Sequence, residues 1–228
     1  MLFDLRSSGR RRTIKVIYLT LAFLMGGGLI FFGIGGGTAL NGGLFDAFNG
    51  NSGGSSPDER FKKQEAALVA KVRANPSDSA SYAQLARVRV QLASQGDNYD
   101  PNSNQYTNAG KAELRQASSA WQQHLSLAKE KPDSRVASLM VQAYVALNDP
   151  TNATAAQEVV AEDRNSAGAY SSLALLAYQA GQARKGDLAA AKAVELTPKD
   201  QRKTVKAQLD AAKQQASGAS ATGGGGSG

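Results

Sequence analysis

No cysteine occurs in the 228 residues, and that absence excludes disulfide scaffolds, thiolate metal sites and cysteine nucleophiles. Histidine is nearly missing as well. His124 stands alone, with no acidic cluster near it in sequence, and reads as a surface or packing residue. Serines are plentiful, yet none occupies a G-x-S-x-G elbow or an S-x-x-K pair with its partner motifs. Phosphate loops and dinucleotide fingerprints are lacking too. The paired acids Glu162 and Asp163 sit near a helix end, where they most simply face water. No constellation meets the requirements of an active site, so the chain reads as a non-enzyme with no catalytic residue and no cofactor. No metal is expected either. Asp100, Asn102 and Asn104 imitate the opening of a calcium loop, but glycine is missing from the sixth position and Lys111 occupies the twelfth, where a bidentate glutamate belongs. Residues 95–112 read instead as a turn-rich insertion bonded to its own backbone.

Strong charge of one sign is absent from most of the chain. Of the formal +7, the first fifteen residues carry +4 (five basic side chains and Asp4), leaving +3 for all the rest. Nucleic acid demands a concentrated basic face, so it is not an expected partner. The basic cluster has a different use. From Val16 through Phe45 no side chain is charged, and residues 16–37 would rise roughly 33 Å as a helix, about the thickness of bilayer hydrocarbon. Arg10, Arg11 and Arg12 stand immediately before that run, which places residues 1–15 in the cytoplasm and everything after Gly37 across the cytoplasmic membrane. A cleaved signal peptide, and with it a secreted soluble binder, is the rival reading. The length of the apolar run and the lack of an A-x-A site favour an uncleaved anchor. Within the span, Ala22 and Gly26, and Gly33 and Gly37, have the small-xxx-small spacing that lets another helix approach closely. Residues 38–56 read as a Gly/Ser-rich linker, and 218–228 as a disordered tail.

Between linker and tail the pattern is helical throughout, so the fold class is all-α. Tyr170, Leu173, Ala174, Ala177 and Tyr178 share one helical face until Gly181, and a second run with Leu188, Ala190, Ala191, Val194 and Leu196 lasts until Pro198. The same helix pair is expected 34 residues upstream, where Val136, Leu139, Met140 and Ala143 match Tyr170, Leu173, Ala174 and Ala177. There the turn is LNDPTN and the second helix is ATAAQEVVAED. A third copy begins at DSASYAQLARVRVQLA and closes with KAELRQASSAWQQHLSLAKEKP. Recurrence at this spacing is the mark of a helical solenoid of about three repeats. It is flanked by one helix ending at Pro76 and by a C-terminal capping helix carrying Val205, Leu209 and Ala212.

These residues resemble the tetratricopeptide repeat family over about 57–217. The last copy matches best, through Leu173, Ala174, Gly181, Ala193 and Pro198. The middle copy keeps Leu139, Met140 and Ala143 but has Leu147 where glycine is usual and Arg164 where proline is. The first copy keeps Tyr82, Leu85, Ala86 and Trp121 around its insertion. The resemblance implies a concave groove lined by the first helices of successive pairs, here Arg87, Val90 and Gln91, then Val141, Tyr144 and Val145, then Leu175, Tyr178 and Gln179. Tyr144 and Tyr178 are expected at equivalent places. Such a lining implies a protein or peptide partner, membrane- or envelope-associated, with apolar side chains. Only Arg87 is basic, so the family's clamp for a C-terminal carboxylate is not implied. In architecture the chain is similar to ancillary repeat proteins of the bacterial secretion translocon. A spacer of the cell envelope, oligomeric and without a working groove, is the alternative.

Overall fold

A computed structural model describes residues 57–128 and 131–222, without the side chains of Pro57 and residues 218–222. The expected cytoplasmic N-terminus, the membrane span with Ala22, Gly26, Gly33 and Gly37, and the linker lie outside the described residues. Among the described residues no helix is long and apolar enough to cross a membrane. What is described is all-α, apart from a tiny hairpin. Its helices are α1 (Pro57–Ala74), α2 (Ser79–Ala93), α3 (Asn108–Leu127), α4 (Ser134–Ala146), α5 (Pro150–Arg164), α6 (Ala167–Gln179), α7 (Ala183–Leu196) and α8 (Arg202–Thr222).

The starts of the helices are written in capping residues. Asp78, Thr107, Asp133, Asp149 and Ser166 each accept a backbone N–H from the first turn of α2, α3, α4, α5 and α6, satisfying donors that the helix itself cannot. Pro150 then opens α5 at the position where its missing N–H costs nothing. That is why α5 begins three residues earlier than ATAAQEVVAED suggests. Left-handed residues close the turns: Asn148 (φ 55°) after α4, Asn165 (φ 43°) after α5 and Gly181 (φ 70°) after α6. α3 stops at Leu127, with Ala128 extended, short of the expected stop at Pro132.

The caps correct the repeat length. Asp133 and Ser166, Asn148 and Gly181, and Pro150 and Ala183 all stand 33 residues apart, not 34. Burial follows the same offset, since Val136, Met140 and Val141 on α4 are buried, and so are Ala169, Leu173 and Ala174 on α6. Asn148, rather than Leu147, therefore takes the place of Gly181. Asparagine tolerates the left-handed region, so the missing glycine is no defect. Tyr144 pairs with Ala177, and Tyr178 with Val145; the two tyrosines are not equivalent.

Helices joined by such short turns pack as neighbours, α4 with α5 and α6 with α7; α2 packs with α3 across the insertion, and each pair packs with the next. One core cluster runs from α1 to α6 and is filled by Trp121, Leu114, Met140, Leu85 and Val160. The other joins α5 to α8 and is filled mainly by alanines, with Leu173, Tyr178 and Leu209. α8 lies on α6 and α7, burying Leu209 and half-burying Val205 and Ala212, and so covers the end of the stack. It continues to Thr222, into the segment expected to be disordered. Its final stretch, ASGASAT, holds no proline to stop it.

His124 is buried between three helix ends. Its Nδ1 lies 2.8 Å from Ser79 Oγ and 3.0 Å from the Ser79 carbonyl, while Nε2 accepts the Asp133 N–H at 3.2 Å. Nε2 is thus the acceptor nitrogen, and Nδ1 carries the proton of the neutral ring. The insertion forms a turn at Gly96–Asn98 and two short strands, β1 (Tyr99–Asp100) and β2 (Gln105–Tyr106), paired antiparallel. The rings of Tyr99 and Tyr106 meet edge-on, 5.3 Å apart. The Asp100 carboxylate is held locally, accepting from Asn102 N–H at 2.9 Å and Ser103 Oγ at 2.7 Å. Gly110 fixes this unit to α3, because a methyl there would overlap the Asn98 carbonyl oxygen.

Candidate functional site

The nine residues assigned to a groove lie on α2, α4 and α6, but they divide by burial. Val90, Val141, Tyr144 and Tyr178 are buried and belong to the core. Arg87, Gln91 and Leu175 are half-buried, and Val145 and Gln179 are exposed. The 55% exposure of Val145 matters most, since it leaves a branched apolar side chain facing solvent at the end of α4.

The tyrosines act between helices. Tyr144 on α4 reaches back, its hydroxyl 3.0 Å from Ser118 Oγ on α3. Burial pushes its pKa up, because the ionised ring would lose its water. Tyr178 on α6 reaches forward and donates to Asp187 Oδ1 on α7 at 3.0 Å. Burial first, and then the Asp187 carboxylate that accepts this proton, push Tyr178 up to about 12. Lys213 of α8 donates to the same Asp187 carboxylate at 2.7 Å. Lys213 and then Tyr178 lower the pKa of Asp187, so the aspartate stays charged and the phenol neutral. Such a phenol is a poor nucleophile, and the triad ties α6, α7 and α8 together.

At the first repeat, Arg89 donates from Nε to Glu65 on α1 at 2.9 Å and from a terminal nitrogen to the Gln116 carbonyl at 3.2 Å. Arg87 differs, because its Nε is buried and meets no acceptor among the described residues. An unmatched buried donor is unfavourable by about 1–3 kcal/mol, a local cost that the packing around Arg87 has to offset.

The tetratricopeptide resemblance assigned all nine residues to the first helices of the pairs. It could not separate core from lining, because both are apolar. The apolar run of α7 does not all face inward. Leu188 is 66% exposed, Ala191 is exposed, and Ala190, Val194 and Leu196 are only half-buried. The buried residues of α7 are Gly186, Ala189 and Ala193. Small residues face inward there because α6 lies too close for large ones. A methyl at Gly186 would penetrate the ring of Tyr178, so a glycine inside the helix is the signal that marks this close approach. Set against family models, curated proteins and solved structures, the chain finds no match.

Proposed function

We propose that the chain is a membrane-anchored, tetratricopeptide-like scaffold that binds a protein or peptide partner on the outer side of the cytoplasmic membrane. The carrying observation is the open surface left on the first helices: exposed Val145 and Gln179, with half-buried Leu175, Gln91 and Arg87. Apolar side chains with amide groups beside them suit a segment that offers alkyl side chains and backbone carbonyls. The uncharged run after the arginine cluster supports the anchor and its direction. Tethering beside a membrane-bound partner raises effective concentration, so a shallow surface suffices.

Photo-crosslinking from position 145 in intact membranes tests this reading. A discrete envelope protein is expected in the crosslinked product, lost when Leu175→Lys and Gln179→Lys are introduced while helicity is unchanged. Capture that is indifferent to both substitutions, or no captured protein at all, overturns it.

A further inference from the structure

A second apolar feature lies outside the groove. Between α5, α6 and α7 runs a shallow cleft of about 440 Å³, floored in part by Leu173 and edged by Leu188. Its two walls carry opposite charge. Glu158 and Glu162, one turn apart on α5, form the acidic wall, and Arg184 and Lys185 on α7 form the basic one. Lys185 and Glu158 already pair across the cleft at 2.6 Å. Glu162 and Arg184 are exposed and make no ion pair among the described residues.

We infer that this cleft is a self-association face, and that its occupant is a second copy of the same chain. The charge arrangement selects that occupant. A ligand of one sign meets a repelling wall, and a wholly apolar one strands Glu162 and Arg184 without partners. A half-turn about an axis along the cleft places each acidic wall opposite the basic wall of the other copy. Arg184 then meets Glu162 of the second copy, and each Leu188 turns toward the facing cleft. A surface that matches itself under a two-fold axis is what an isologous dimer requires. The face is separate from the Val145 surface, so the inference does not rest on the groove reading.

The test is particle mass by sedimentation of the full chain in detergent micelles, with helicity monitored in parallel. The wild type is expected to be a dimer that dissociates on dilution. Arg184→Glu and Glu162→Arg each place like charges opposite one another and should weaken association about tenfold or more. The double variant, with the pair reversed, should regain most of it. Leu188→Glu should give monomers with unchanged helicity, since the residue is mostly exposed. Should that variant unfold, the charge-reversal cycle still decides. A monomeric wild type overturns the inference, as does a dimer insensitive to all the substitutions, or a double variant no better than the singles. Loss of crosslinking at position 145 with the dimer intact would sink the groove alone.

Discussion

The α4/α5 and α6/α7 pairs share one frame and end in opposite ways. At the last turn of the first helix one has Val145 and the other Tyr178. At the facing place, 33 residues apart, one has Ala153 and the other Gly186. Both small residues are buried. Glycine lets the Tyr178 ring lie on the α7 backbone and reach Asp187. At the matching place Ala153 carries a methyl that Gly186 lacks, and Val145 stays 55% exposed. The same corner is sealed by a ring in one pair and left exposed in the other.

The comparison breaks first at the ring. Tyr178→Ala should destabilise by about 3–5 kcal/mol, in the range for large aromatic truncations, read by denaturant unfolding. Gly186→Ala comes next. Overpacking should cost about 1–3 kcal/mol, reduced by the roughly 1 kcal/mol that alanine gains over glycine in a helix. Adding Tyr178→Val should remove the penalty and convert the corner to the Val145/Ala153 type. A double-mutant cycle that comes out additive would break the argument. Tyr178→Phe is gentler, about 1 kcal/mol for one hydrogen bond, and it carries a pH signature. Unfolded tyrosine ionises near pH 10 (about), whereas Tyr178 in the fold is held up to about 12. The folded chain keeps this proton more tightly, so its contribution is complete below the unfolded value and is lost as pH rises through the folded one. The phenylalanine variant should lack that alkaline loss in a stability–pH profile. Smallest of all, Val145→Ala should change stability by no more than about 0.5 kcal/mol while reducing partner capture.

The helices themselves were legible because apolar residues recur three and four apart and because Gly181 and Pro198 mark their stops. The register was not. A spacing of 34 sets Tyr144 on Tyr178, an attractive match of residue types, whereas caps and burial both choose 33. Identity of side chains misled where backbone geometry decided. Leu188 misled for a related reason, since hydrophobicity predicts burial while the close approach of α6 and α7 admits only glycine and alanine. The strands at Tyr99–Asp100 and Gln105–Tyr106 are two residues each, too short for any alternation to appear in sequence. In the groove, the positions could be named but not sorted, because packing against neighbours is a tertiary property.

One imidazole ring, finally, has an effect larger than its size. Because His124 serves Ser79 with one nitrogen and Asp133 with the other, the beginning of α2, the finish of α3 and the approach to α4 cannot fray one at a time. Local opening at any of the three breaks a bond belonging to another, so their amide protons should exchange together, as one cooperative unit. The inserted hairpin interrupts the chain between α2 and α3, and the ring joins those helices again at the opposite end.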